Sequence, residues 1–471
     1  MQRCSGLIIA ALRGGSGKTI FSIGIIAALR NRGIRVAPFK KGPDYIDAGW
    51  LALAAGRPCY NLDTFLIDTD IISQSYYTHT HDAELAVIEG NRGLYDCIDT
   101  QGRTSTAELA KLLDLPVLLC LDGTKTTRTM AAVVAGCAQF DAGVKLKGVL
   151  LNRVAGARHE KILRDSIEEH CGIPVLGALP KLREQCFPER HMGLVPTYEH
   201  QWAQDAKETI AELIEQHLDL DAIIRLADSS PYKTGNFTAS SPRPVEMETK
   251  TGAIDISSVD KPRIGVIRDA AFQFYYPENL DALVQAGAEI IITSPLFEDH
   301  LPPVDALYIG GGFPETHAQR LSGNSTYRRQ IKTLAEEGLP IYAECGGLMF
   351  LGRELVLEEG TFPMADVLPV SFGFSRRPQG HGYTILEVTG DNPFFKVGQV
   401  LKGHEFHYST VNHCDMENAQ TAFKMTRGTG LHGGFDGLCV HNTLATYTHI
   451  HALGTPQWAP ALVENARRFK G

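Results

Sequence analysis

The chemistry in this sequence is concentrated in short stretches that interrupt apolar runs. Arg13-Gly14-Gly15-Ser16-Gly17-Lys18-Thr19 stands between LIIAAL and FSIGIIAAL. At a strand-to-helix turn, glycines at this spacing aim backbone N–H groups at phosphate oxygens, Lys18 neutralises their charge, and the Thr19 hydroxyl reaches Mg²⁺. The usual template has glycine where Leu12 stands. The loop follows instead the variant with a basic residue ahead of GGxGKT, a place taken by Arg13. Two more apolar runs end in acids: Asp44, Tyr45 and Asp47 follow Lys40-Lys41-Gly42-Pro43, and Glu89 is followed at a short distance by Asp96. Ligands of parallel sheets gather at the carboxyl ends of strands, so these loops should flank the phosphate loop. Mg²⁺ takes hard oxygen ligands, and Thr19, Asp47 and Glu89 form the candidate set.

A second constellation lies far along the chain. LPIYAEC-GG-LMFLGREL reads as strand, sharp turn and helix, with Cys345 at the turn and Gly346 and Gly347 permitting it. The helix start is expected to lower the thiol pKa and to offer N–H groups to an oxyanion. Gly310, Gly311 and Gly312, after the run DALYI, can supply donors from the opposite side. The general base must come from seventeen histidines, of which two clusters matter: GHEFHYS at 403–409 and ATYTHIH at 445–451. His449 is the favoured base. Class I glutaminases usually carry an orienting Glu two residues beyond the base; His451 stands there in this chain, so His451 or nothing fills that role.

The elements that must position these residues are legible from the pattern. Short apolar runs alternate with longer amphipathic stretches from Leu7 to about Leu226, which predicts βαβ units and a parallel sheet. Residues 228–261 turn to Ser, Thr, Pro, Gly and charge, the composition of a linker. Alternation restarts with RIGVIRD, so the division reads as 1–227, a linker over 228–261, and a second α/β domain over 262–471. A 471-residue chain that is 44% hydrophobic has the material for two cores. With 45 basic against 54 acidic residues and no long basic run, nucleic acid is not an expected partner. No segment approaches the roughly 20 apolar residues that cross a bilayer. Ten scattered cysteines without CxxC pairs fit a reducing cytoplasm.

Taken together, RGGSGKT, KKGPDYIDAG, NLDTF, VIEGNRGLYD, GVLLNRV, PERHMGL, DAAFQFYYPENL, GGGFPE, YAECGGL, GHEFHYS and TYTHIH make the chain similar to the cobyrinic acid a,c-diamide synthase family. The resemblance implies a dethiobiotin-synthetase-like P-loop domain joined to a class I, flavodoxin-like glutaminase domain. It implies ATP and Mg²⁺ as cofactors, L-glutamine as nitrogen donor, and a tetrapyrrole whose acetate groups become amides through an acyl phosphate. It makes Cys345 the nucleophile and His449 its activator, and places Asp44, Tyr45, Asp47, Glu89 and Asp96 around nucleotide, metal and substrate carboxylate. A homodimer is left open. Sirohaem and nickel-sirohydrochlorin are alternative substrates within the same architecture, and a partition-type ATPase is the rival outside it, one that leaves everything after Arg263 unused. FSRRPQGHGY at 374–383 departs from the family's shorter lead into Gly-Tyr. Arg376 and Arg377 there read either as a solvated basic turn or as partners of substrate carboxylates, and His381 either as a polar turn residue or as a contact to a macrocycle edge or metal.

Overall fold

The computed structural model describes residues 4–181, 189–190, 193–194, 203–228 and 261–471. Apart from its two ends, the expected linker over 228–261 lies outside the described residues, as do residues 188, 191 and 192 of the PERHMGL stretch.

The central strands of the first half are buried: Val36–Lys41 and Leu85–Glu89 have no exposed residue, and Ser5–Ala11 is covered from Gly6 onward. Such strands need cover on both faces, which helices supply. They form a seven-stranded parallel sheet in the order Tyr60–Leu62, Val36–Lys41, Leu85–Glu89, Ser5–Ala11, Val117–Asp122, Leu146–Val154, Val175–Pro180. Alternate side chains of the central strand feed two different cores: Leu7 and Ile9 join Phe21 and Trp50 on one face, while Ile8 and Ala10 join Phe39 and Leu119 on the other. The phosphate loop follows that central strand, with the earlier strands on one side and the later ones on the other.

The second half opens as the alternation predicts. Glu289–Thr293, Arg263–Ile267, Ala306–Ile309, Ile341–Glu344 and Thr443–Thr446 lie parallel. Beyond Leu351 the structure departs from simple α/β alternation, and antiparallel strands Phe435–Val440, Gln420–Arg427, Gly380–Val388 and Val400–His407, with the short His449–Ile450, extend the sheet to ten strands. Their burial alternates residue by residue, as in Gly380–Val388, which is the signature of a sheet with one wet face. The last strand, His449–Ile450, returns to pair with Val400–His407 and sets His404 opposite His449. The two histidine clusters of the sequence therefore meet through strand register.

The halves are joined by the NLDTF stretch. Glu278 accepts the Asn61 N–H at 2.8 Å, Tyr383 Oη donates to Asp63 at 2.6 Å, and the Phe65 and Tyr383 rings lie 4.4 Å apart. Phe274 of the second half is part of the first half's core.

Among the described residues no helix is long and apolar enough to cross a membrane. The C-terminal helix Trp458–Lys470 instead closes one core of the second half: Trp458 is fully buried, 5.0 Å from the Tyr308 ring and 5.2 Å from Tyr342. Trp458→Ala is therefore expected to lower unfolding free energy by about 3–5 kcal/mol, the range for emptying a buried aromatic site. Denaturant melts of the full chain check it, with a loss below about 1 kcal/mol contradicting this packing.

Candidate active site

The phosphate loop has the geometry that its glycines permit. Gly15 and Gly17 adopt φ of 73° and 98°, and a Cβ at Gly17 would collide with the Asn152 amide. That amide donates to the Ser16 carbonyl at 2.9 Å, and Arg153 Nη1 donates to the Gly15 carbonyl at 3.2 Å. Neither residue was singled out from the sequence, although both lie in the quoted GVLLNRV. Lys18 is buried, and its ammonium donates to the Arg92 carbonyl at 2.8 Å and more weakly to that of Arg13. Burial, then the nearby Lys40, pushes its pKa down.

The acids converge as expected. Thr19 Oγ1 donates to Glu89 at 2.9 Å and lies 3.4 Å from Asp47. The residue missed by sequence reasoning is Lys40, whose ammonium lies 2.7 Å from both Asp47 and Glu89 and 3.7 Å from Asp44. Burial of the Asp47 carboxyl would raise its pKa, but Lys40 outweighs that and holds it low. Asp44 is pushed up to about 7, by burial first and Asp47 second. Glu89 Oε2 is buried without a hydrogen-bond partner. An unpartnered buried carboxylate oxygen beside a hydroxyl and a second carboxylate suits a hard divalent cation, so Thr19, Asp47 and Glu89 fit Mg²⁺.

In the second half, Cys345 sits at φ 47°, ψ −98° between the strand and a six-residue helix. A thiol with lowered pKa was expected; burial instead pushes it well up, with Glu315 adding to the rise. A short helix start cannot offset desolvation of a thiolate beside carboxylates, so the thiol rests protonated. Its hydrogen-bond partner is the Phe406 carbonyl, at 3.9 Å. Around it the glycines close in as predicted. A Cβ at Gly346 would lie 2.9 Å from the Gly312 nitrogen, and one at Gly311 would lie 2.5 Å from His449 Cε1.

His451, offered from the sequence as the orienting residue if any, does not stand beside the His449 ring; a carboxylate does. Glu344, the residue before the cysteine, has Oε2 at 3.3 Å from His449 Nδ1 and accepts the Ile450 N–H on Oε1 at 3.0 Å. His451 lies 3.5 Å from Glu278, at the seam between the halves. The strand ends at Ile450, so residue 451 leaves the face that carries His449, and the parallel pairing of Ile341–Glu344 with Thr443–Thr446 brings Glu344 toward His449. Asp436 fixes the approach, accepting from Thr446 Oγ1 and from the Tyr447 and Thr448 N–H groups.

A cavity of about 470 Å³ spans the seam and joins the two constellations. Asp44, Tyr45 and Asp96 line it from the first half, and His381, His404 and His449 from the second. The Tyr45 ring stacks on Phe274 at 5.2 Å and stands 5.5 Å from the His449 ring. His404 stacks on His449 at 4.9 Å, with Nδ1 at 3.3 Å from Tyr276 Oη. Burial, then its histidine neighbours, holds its pKa well below the usual value, so the ring is neutral. His381 lines the cavity. Arg376 and Arg377 do not: both are exposed, Arg376 pairs with Glu358 on the surface, and the arginines that line the cavity are Arg92 and Arg427. The basic turn at 376–377 precedes the strand Gly380–Val388 and ends outside the seam.

Two family models match the chain. Residues 7–194 match the CobQ/CobB/MinD/ParA nucleotide binding domain, and residues 263–457 match the CobB/CobQ-like glutamine amidotransferase domain. A cobyrinate a,c-diamide synthase of Magnetococcus marinus is 44% identical over 98% of this chain and 97% of its own. The chain belongs to the cobyrinate a,c-diamide synthase family. An Archaeoglobus fulgidus protein of the same name is 39% identical over 98% of both chains, and one from Listeria monocytogenes is 38% identical over 94% and 96%. As a member of this family the chain is a ligase that draws its nitrogen from glutamine, with a nucleotide-binding domain beside the glutaminase.

Because a methyl group at position 311 meets the His449 ring, Gly311→Ala is expected to slow glutamine hydrolysis by about 10²–10⁴-fold, the range for losing a positioned general base. Assay of glutamate release checks this, and hydrolysis within twofold of wild type would contradict it.

Proposed function

We propose that this member of the family amidates the a and c acetate side chains of cobyrinic acid, activating each carboxylate with ATP and supplying ammonia from glutamine. The observation that carries the reading is the single cavity with His449 on one wall and Asp44 and Asp96 on another.

A carboxylate is a poor electrophile toward ammonia, so it must first gain a leaving group. Lys18 and the backbone N–H groups of residues 13–19 hold the triphosphate. A substrate carboxylate oxygen attacks the γ-phosphorus, ADP leaves, and an acyl phosphate forms. Thr19, Asp47 and Glu89 would hold Mg²⁺, which offsets negative charge on the transferring phosphoryl group. Asp44 and Asp96 flank the acyl carbon and orient the incoming amine.

In the glutaminase half, His449, held by Glu344, takes the proton of Cys345, and the thiolate attacks the glutamine amide carbon. The Gly312 and Gly346 N–H groups receive the oxyanion. His449 passes its proton to the leaving nitrogen, ammonia departs, and water converts the thioester to glutamate. Ammonia crosses the cavity past Tyr45 and His404 and attacks the acyl carbon. Phosphate leaves, a proton is lost, and the amide remains.

Cys345→Ala should abolish glutamine-dependent amidation and leave ammonium-dependent amidation intact, whereas Lys18→Ala should abolish both. Glu344→Gln should slow glutamine hydrolysis more than His451→Ala does, because it acts directly on the base. Amide formation is read as a mass loss of about one dalton per acid converted, the difference between OH and NH₂ that this C–N ligation leaves. Equal loss of both nitrogen sources in Cys345→Ala would defeat the division of labour. Turnover of a sirohaem-type ring with none of cobyrinic acid would move the substrate assignment.

A further inference from the structure

One side chain in the cavity is electrostatically incomplete. Lys41 ends the strand Val36–Lys41, is 4% exposed and lines the cavity, yet it makes no hydrogen bond and no ion pair with any described residue. Lys40, one residue earlier, is 2% exposed, is held by Asp47 and Glu89, and does not line the cavity. Strand alternation sends consecutive side chains to opposite faces, so one ammonium serves the nucleotide acids and the other serves the seam. The carboxylate that acts on Lys41 at longer range, Asp63, is already taken by Tyr383 Oη and by the Phe65 and Leu66 N–H groups. Burial pushes the Lys41 pKa down, with Asp63 opposing.

A buried ammonium without a counter-ion lowers folding stability, and a fold that carries one at a cavity wall has a place for an anion. Two more cations line the same cavity from opposite halves. The Arg92 guanidinium has no hydrogen-bond partner among the described residues. Arg427 donates Nε to the Tyr383 carbonyl at 3.1 Å, leaving its outer nitrogens for a ligand. Arg92 also holds a left-handed φ of 51° with its carbonyl on the Lys18 ammonium, which ties its backbone to the phosphate loop.

Resting on the reading of the chain as a tetrapyrrole amidase, we propose that Lys41, flanked by Arg92 and Arg427, binds a carboxylate of the macrocycle other than the one being activated. The reacting acetate then lies toward Asp44 and the phosphate loop. A second carboxylate fixed at Lys41 sets which edge of the ring faces the phosphoryl donor, which makes Lys41 a specificity determinant.

The test is binding of cobyrinic acid to the full chain without ATP or glutamine, read from the absorbance of the macrocycle, for wild type, Lys41→Met and Lys41→Arg. Removing a charge-assisted bond should raise the Kd of the Met variant about 10–100-fold, with Lys41→Arg restoring affinity to within a few-fold. The melting temperature of ligand-free Lys41→Met should equal or exceed that of wild type, because an unpaired buried charge is gone. A Met variant that binds as tightly as wild type, or that melts lower or fails to fold, overturns the assignment. A wild type that binds no cobyrinic acid overturns the functional reading beneath it.

Discussion

Ammonia at neutral pH is mostly ammonium, which is no nucleophile, and an acyl phosphate in water is hydrolysed. A protein that makes one and consumes the other has to bring two reaction centres to a common space that excludes bulk solvent. The cavity at the seam sets Asp44 and Asp96 of one half and His449 of the other around one space. Glu278 and Tyr383 hold Asn61 and Asp63 of the segment 61–65 across the seam, and the Asn61 side-chain amide donates to the Gly42 and Asp44 carbonyls at 2.9 and 3.2 Å. The same residue that docks the glutaminase half therefore fixes the loop carrying Asp44 and Tyr45. His404, neutral and stacked on His449, presents no positive charge that would repel or mimic ammonium.

Buried polar groups set the rest. Glu344 is fully buried, and its two oxygens meet His449, the Ile450 N–H and the hydroxyls of Tyr308 and Tyr342. Lys40 plays the corresponding part among Asp44, Asp47 and Glu89. In both places a buried charge is retained because several partners satisfy it at once, so removal of any partner strands the others. Lys41 is the exception: it lines the cavity with no hydrogen bond or ion pair to any described residue.

Much of this was legible in the sequence, and what was not has identifiable causes. The phosphate loop, the acids at strand ends and the cysteine elbow are local patterns in which backbone and side chain are specified within a few residues, and the structure brings each together. Glu344 escaped notice although it adjoins Cys345, because its partner His449 lies over a hundred residues away and only sheet register joins them. The spacing rule applied to His451 assumes a regular element through residue 451, whereas the strand ends at Ile450 and His451 meets Glu278. Arg376 and Arg377 were weighed by charge alone, which says nothing of which way a turn faces; Arg92 and Arg427, single cations in unremarkable surroundings, carried no pattern. The thiol misled because the helix start was considered without the burial that opposes it.

The central claim is that ammonia passes within the protein from Cys345 and His449 to the acyl phosphate. Amidation of cobyrinic acid with [amide-¹⁵N]glutamine in the presence of excess unlabelled ammonium tests it most directly, with the product analysed by mass spectrometry. The account predicts amide nitrogen that remains predominantly ¹⁵N, because the internal supply does not mix with solvent before it reacts. Label diluted to the ratio of the bulk ammonium pool would contradict it.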